Sequence, residues 1–482
     1  MSTRDVSKLV DASSDWLGLT VTVAGLGVAG YAAATALVDV GANVTVLDPA
    51  DTQTLRERAE IVEVLGGVVR LGCSDGPDSE AEVFVVSPGI KPSSDLIVDA
   101  QHRGITVWGE LELAWRLRPR DNPAPWLCIT GTNGKTTATL MLAAMLAADG
   151  RSVAAAGNVG DSLIDAVRHP GLDVIAVEVS ATQMPFVTSM SPYAAVCLNL
   201  APDHLDFFTS MRDYADNKAL VYRNTQVVCV YNVEDPVTEQ MVIEADVVEG
   251  CRAVGFTLRA PSIGMVGVVD DLLVDRAFID DRATHGQELA TISDVPVDAP
   301  AYIANALAAA AMARAIGVSP ASIRAGLQTF APAPHRIALV GEVGGVRFVN
   351  DSKATNAHAA TTSLGAFESV VWIAGGLAKG QSFDELIERV ATRLRGVVLM
   401  GTDREVIRRS LELHAPLVPI MEVASRDPDA MTEVVRLAHR LAQPADTVLL
   451  APACASWDMF ANYGDRGDRF TRAVRELVAE ES

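Results

Sequence analysis

The chain has 482 residues, 49% of them hydrophobic and 21% charged, with 39 basic against 61 acidic side chains and a net charge of −22. That length leaves room for about three domains, and the hydrophobic share supports sizeable cores and argues against extended disorder. The acidic balance argues against a nucleic-acid partner, and the start of the chain, Met1–Asp5, has no apolar signal core.

No uncharged stretch of roughly 18 residues reads as membrane-spanning, so a cytoplasmic protein with no membrane insertion is expected; a monomer is expected as well. Cys73, Cys128, Cys197, Cys229, Cys251 and Cys454 are scattered without a CxxC pair and read as reduced thiols.

Val21–Ala24 reads as a short strand running into Gly25-Leu26-Gly27-Val28-Ala29-Gly30 and then a helix to about Val40. A second strand, Val44–Leu47, ends at Asp48, 18 residues beyond Gly30. This is the dinucleotide fingerprint in its strand–turn–helix setting, with an acid placed for a ribose hydroxyl. NAD, FAD and other nucleotides all remain open. Ser87-Pro88-Gly89 follows the apolar run Val83–Val86 and faces the same crevice at the strand ends. Three prolines in the seven residues Pro119–Pro125 mark a linker, so a Rossmann-like N-terminal domain is expected over residues 1–122.

The central domain, expected over residues 123–332, opens on the apolar strand Trp126–Thr130. The loop Gly131-Thr132-Asn133-Gly134-Lys135-Thr136-Thr137 follows, and then the helical run Ala138–Leu146. Strand, glycine loop, Lys-Thr and helix make a phosphate cradle. Backbone N–H groups and the helix N-terminus face the phosphates, Lys135 reaches the outer ones, and Thr136 places its hydroxyl on magnesium. The spacing is G-x-x-G-K-T, one glycine short of the common form. Glu178 is the sole acid in the strand Val174–Val179, at its C-terminal end, where a magnesium-binding carboxylate belongs. His204 ends an apolar strand beside Asp203 and Asp206 and reads as a second metal position. Lys218 lies on a helix over Met211–Arg223, where its plain reading is a solvated lysine. Residues 262–298 show no chemistry, and residues 301–316 form an alanine-rich helix that includes Asn305.

Ala331-Pro332-Ala333-Pro334-His335-Arg336 marks the second boundary, and a C-terminal domain is expected over residues 333–482. Its loops Asn350–Asn356, Gly375–Gly380 and Pro452–Phe460 each follow a strand. They share one sheet edge and so can converge around a small carboxylate. The fold class is α/β in three domains: Rossmann-like, P-loop ATPase-like with a mostly parallel sheet, and Rossmann-like again.

The set Gly131–Thr137, Glu178, Asp203-His204, Lys218, His335-Arg336, Asn350–Asn356 and Pro452–Phe460 resembles the Mur ligases through all three domains in order. The Asp351-Ser352-Lys353-Ala354-Thr355-Asn356 and Pro452-Ala453-Cys454-Ala455-Ser456 runs are similar to those of the D-glutamate-adding branch. The resemblance implies ATP-dependent joining of D-glutamate to UDP-N-acetylmuramoyl-L-alanine through an acyl phosphate, with two magnesium ions.

It further implies that Gly25, Gly27, Val28, Ala29, Asp48, Ser87, Gly89, Asn158, Ser180 and Gln183 hold the sugar nucleotide, which resolves the fingerprint against NAD. Gly131–Thr137 with Asn305, Arg336 and Asp351 would hold ATP. Thr136, Glu178, His204 and Lys218 would serve the metals, Lys218 as a carbamate. Lys135, Glu178, His204 and Lys218 form the implied catalytic set, and Lys353, Thr355, Lys379, Ser456 and Tyr463 would surround D-glutamate.

The sequence departs from the family at Asp48-Pro49-Ala50, where relatives carry Thr-Arg after the acid. It also departs at residues 299–304, which lack a His-Asn pair, and at Ser180-Ala181-Thr182-Gln183, which replaces Ser-Ser-Phe-Gln. A folylpolyglutamate synthase, an NAD-dependent oxidoreductase carrying an added P-loop domain, and a catalytically silent scaffold are the competing readings. None of them accounts for the whole set.

Overall fold

The computed structural model describes residues 4–204 and 207–481. Asp206, one of the two acids expected beside His204, lies outside the described residues. Three sheets carry the chain. The first is all parallel, its strands ordered Val68–Leu71, Asn43–Asp48, Thr20–Ala24, Val83–Val86 and Thr106–Gly109. The order reverses between Thr20–Ala24 and Val83–Val86, and the Gly25–Gly30 loop and Ser87 leave from those two strands, at the switch point where such sheets bind ligands.

The second sheet has nine strands. Its parallel body runs Met265–Val269, Arg252–Phe256, Val228–Asn232, Ala194–Cys197, Trp126–Thr130, Val174–Glu178 and Val153–Gly157. The antiparallel strands Leu272–Asp275 and Gln287–Thr291 extend its edge. Trp126–Thr130 is buried throughout and lies between strands of opposite crossover direction. The helix that follows it, Lys135–Ala148, buries Met141, Leu142, Met145 and Leu146. At about 1.5–3 kcal/mol for each large apolar side chain, that face anchors the cradle at the helix start.

The third sheet runs Ala338–Val343, Val346–Asn350, Thr447–Leu450, Val370–Gly375, Leu394–Met400 and Ile420–Glu422, antiparallel only at the first pair. Its two faces are filled by separate clusters, one around Trp372, Leu399 and Leu449, the other around Phe348, Ile373 and Phe470.

The first and second sheets belong to one compact unit, and the third sheet belongs to another that also includes residues 201–204 and 296–301. Within the first unit, Glu112 joins the two sheets' regions. It is fully buried, pairs with Arg116 at 2.6 Å, and accepts from Thr188 N at 2.8 Å and Ser189 N at 3.0 Å. Those hydrogen bonds outweigh burial and hold its carboxyl below the usual range. Among the described residues, no helix is long and apolar enough to cross a membrane.

Candidate functional site

The central loop is held from three sides. Asn199, directly beyond the strand Ala194–Cys197, accepts from Asn133 N at 2.9 Å and Thr132 N at 3.0 Å, and donates to Asn133 O at 3.1 Å. Lys135 turns its ammonium back onto Gly131 O at 2.8 Å and Thr132 O at 2.9 Å. Gly134 is left-handed, with φ of 84°, and a Cβ there would overlap the amide of Asn305. Only glycine meets both conditions. Asn305 is buried in an otherwise apolar helix, Pro300–Ala315, and sits against the loop.

Next to the cradle, Thr136 Oγ1 donates to Glu178 Oε2 at 2.8 Å, and Asn158 Nδ2 donates to Glu178 Oε1 at 3.0 Å. The buried carboxylate and the hydroxyl are hard oxygen donors at the mouth of a phosphate loop. That is the pairing magnesium takes when substrate phosphates and waters complete its shell. The residues therefore fit such an ion, although the described residues contain no cluster of three His, Cys, Asp or Glu side chains.

Lys218 corrects its plain reading. Its residue is 1% exposed, and its ammonium stands 4.6 Å from the ring centre of Tyr214, whose hydroxyl lies 3.1 Å from Thr132 Oγ1. The helix is also shorter than expected, Met211–Ala219 followed by a single tighter turn. His204 is carried by the second unit in a left-handed conformation, φ 53°, with Asp203 Oδ2 3.9 Å from its ring. Asp203 in turn accepts from Asn356 Nδ2 at 3.2 Å.

At the switch point of the first sheet, Gly27 precedes the helix Val28–Asp39, which has no side-chain cap to occupy its N-terminal amides. A Cβ on Gly30 would strike Gly25 O, and that is why the helix can pass so close to the loop. Ser87 Oγ donates to Ala24 O at 2.6 Å. Asp48 accepts from Leu26 N at 2.7 Å and Ala50 N at 2.9 Å, so its carboxylate braces the glycine loop and the Pro49-Ala50 turn. Ser180 and Gln183 form a capping box on the turn Ala181–Phe186. Val28 and Gly89 are exposed.

In the second unit the three loops converge as their shared sheet edge required. Leu377 and Ala455 exchange backbone hydrogen bonds at 2.9 and 3.0 Å, and Ala453 N reaches Ala354 O at 2.9 Å. Lys353 stands 4.0 Å from the ring centre of Tyr463, and Lys379 stands 4.5 Å from that of Trp457, which is 66% exposed. Thr355 is half-buried and Ser456 buried. Asp351 turns inward, accepting from Ser363 Oγ and, at 3.3 Å, from Ile337 N. Burial pushes its carboxyl up to about 6, against the pull of Arg336. Asn199, Tyr214, Trp457 and Arg466 were not singled out from the sequence. Asn199 had a signal, a polar residue at the end of an apolar strand, and Tyr214 had another, four positions before Lys218 on one helix face.

These features define a multidomain α/β protein of the P-loop type, with a sheet edge carrying glycine-rich and polar loops on each side of the cradle in sequence. The Mur ligase middle-domain model matches residues 129–313, and the Mur ligase glutamate-ligase-domain model matches residues 335–454. The UDP-N-acetylmuramoylalanine–D-glutamate ligase of Streptomyces coelicolor is 54% identical over 469 residues, covering 97% of this chain and 100% of that protein. The protein of that name from Mycolicibacterium smegmatis is 41% identical, over 96% of this chain and 97% of its own length.

Among solved structures, the UDP-N-acetylmuramate-alanine ligase of Thermotoga maritima superposes with a TM-score of 0.58 at 17% identity, covering 95% of this chain and 99% of its own. A folylpolyglutamate synthase/dihydrofolate synthase from Yersinia pestis reaches 0.52 at 17% identity over 75% of this chain and 90% of its own. The chain belongs to the Mur ligase family.

Proposed function

We propose that the protein joins D-glutamate to UDP-N-acetylmuramoyl-L-alanine with cleavage of ATP to ADP and phosphate, in the cytoplasmic synthesis of a peptidoglycan precursor. The observation that carries this reading is the presence of two independent sets. A phosphate cradle is backed by Thr136 and Glu178 in one unit, and a loop cluster bearing Lys353, Lys379 and Ser456 lies in the other. Full-length identity to enzymes of that name supports the choice of substrates.

The chemistry follows from charge. A carboxylate is a poor acyl donor, so the alanine carboxylate attacks the γ-phosphorus, giving an acyl phosphate and ADP. The amine of D-glutamate, deprotonated, then attacks that carbonyl, and phosphate leaves as the amide forms. Lys135 and the N-terminal amides of the helix Lys135–Ala148 hold the triphosphate and lower the repulsion between it and the incoming carboxylate. Thr136 and Glu178 would hold a magnesium ion, with His204 and Lys218, the latter as a carbamate, serving a second. Magnesium supplies charge neutralisation on the phosphates. Lys353, Lys379, Thr355, Ser456 and Tyr463 supply donors for the two carboxylates of the amino acid.

In the first unit, Asn158 sits next to Glu178, and Asp48 shapes the loop that receives the uridine diphosphate. Asn305 orders the cradle on the ATP side, and Arg336 and Asp351 are the further ATP-binding residues that the family resemblance implies. We take the enzyme to act as a monomer.

ADP release by the purified protein with UDP-N-acetylmuramoyl-L-alanine, ATP and magnesium tests the reading. Release should require D-glutamate and should fail with L-glutamate, L-lysine or diaminopimelate. Equal release with L-glutamate, or none with any amino acid, would overturn it.

A further inference from the structure

The most deeply buried cation in the second unit is one that the ligase chemistry leaves unused. Arg466 lies on the helix Tyr463–Glu481 and is fully buried. Its Nε donates to Ser352 Oγ at 2.9 Å, its Nη2 to Ser352 O at 2.7 Å, and its Nη1 to Cys454 O at 3.0 Å. Ser352 Oγ passes the link on to Tyr463 O at 2.7 Å. One guanidinium thus ties together the loop after Val346–Asn350, the loop after Thr447–Leu450 and the start of the last helix.

Among the described residues its hydrogen-bond partners are neutral oxygens, with no carboxylate paired to it. A cation held in this way costs stability relative to an apolar side chain of the same volume. Burial accordingly lowers its pKa to about 10. The fold does not need a charge at that point, since Phe470, Val474 and Leu477 pack the same helix onto the sheet. What the guanidinium provides is geometry. Its planar fork fixes two carbonyls and a hydroxyl in one plane, and a lysine would hold them less rigidly.

The residues next to its anchors are the ones that matter to the amino acid. Lys353 follows Ser352, and its ammonium stands 4.0 Å from the ring centre of Tyr463. Ser456 lies two residues beyond Cys454. We propose that Arg466 is a positioning residue: it sets the spacing between the loop carrying Lys353 and Thr355 and the loop carrying Ser456, and thereby the grip on the incoming dicarboxylate. The inference rests on the ligase reading for the identity of that dicarboxylate.

Full-length Arg466→Met, Arg466→Lys and Ser352→Ala test it with two readouts. In amide hydrogen exchange, Arg466→Met should speed exchange in residues 350–356 and 452–463, with the strand Thr447–Leu450 as protected as in the wild type. In steady-state assays it should raise KM for D-glutamate about tenfold while leaving KM for ATP within about twofold, because loop misplacement weakens only the ligand those loops hold. Arg466→Lys should fall between, and Ser352→Ala should shift the same KM in the same direction even if Arg466→Met does not fold.

Unchanged exchange in both loops would overturn the proposal. So would a parallel rise of all KM values with loss of protection in the strand, which is the mark of a merely structural role. A wild type without D-glutamate-dependent ADP release would instead bring down the ligase reading, and the exchange comparison would still decide whether Arg466 positions the loops.

Discussion

Thr136, in the first turn of the helix Lys135–Ala148, and Asn158, just after the strand Val153–Gly157, divide the two oxygens of Glu178 between them, at 2.8 and 3.0 Å. The carboxylate is therefore oriented before any ligand arrives, with one oxygen toward the cradle and the other toward the loop after Val153–Gly157. Orientation of this kind requires no reorganisation when the reaction begins.

Glu178→Gln keeps the shape and removes the charge. Turnover should fall about 10²- to 10³-fold, the magnesium concentration for half-maximal rate should rise, and the melting temperature should hold within about 2 °C. Folding is checked by circular dichroism, and the magnesium response by metal titration of the rate. An unchanged magnesium response would remove Glu178 from the metal site.

Gly134→Ala combines a left-handed backbone, which costs an L side chain roughly 1–2 kcal/mol, with a collision against Asn305. ATP affinity measured by calorimetry should fall by more than about tenfold. Asn305→Ala removes the collision but leaves the strain, so the double variant should recover only part of the loss.

Two buried carboxyls make stability depend on pH in a specified direction. Burial pushes Glu110 up to about 6 from an ordinary 4.5, and Asp351 also to about 6 from 3.8. A raised folded-state pKa favours the protonated folded form. That contribution is fully present below the unfolded value and is lost as pH rises through about 6, a difference of about 2 kcal/mol for Glu110. Glu110→Gln keeps an acceptor for Leu163 N and cannot ionise. Relative to wild type, its melting temperature should be higher at pH 8 than at pH 4.5. A pH-independent difference would contradict the assignment.

Lys218 is buried against Tyr214 beside the cradle. Carbamylation would turn a buried ammonium into a carboxylate-like ligand, so labelled bicarbonate should produce a carbamate carbon resonance that is absent in Lys218→Arg, and that variant should lose activity. Trp457→Leu should weaken D-glutamate binding by about two- to fivefold, the worth of an exposed cation–π contact to Lys379, and Trp457→Phe should recover part of it.

The order of elements was legible because the strands before each loop are short, apolar and buried, and the loops announce themselves through glycine and polar residues. The Trp126–Thr130 strand falls where the pattern put it, and the helix expected over Ala138–Leu146 begins three residues earlier, at Lys135. The antiparallel strands Leu272–Asp275 and Gln287–Thr291 were not legible, because edge strands with one solvated face alternate too weakly among many carboxylates. Lys218 was misread from local pattern for a related reason: a helix of low hydrophobicity looks solvated, and only the tertiary contact with Tyr214 and Thr132 buries its lysine. The roles of Asn199 and Arg466 depend on partners 66 and 114 residues away, Asn133 and Ser352, which no local pattern encodes.

The most direct test follows one oxygen atom. UDP-N-acetylmuramoyl-L-alanine labelled with ¹⁸O in its alanine carboxylate is turned over with ATP and D-glutamate, and the inorganic phosphate is analysed by mass spectrometry. Activation through an acyl phosphate predicts one labelled oxygen in each phosphate released. Unlabelled phosphate, with the oxygen displaced from the carboxylate found in AMP or in water, would contradict it.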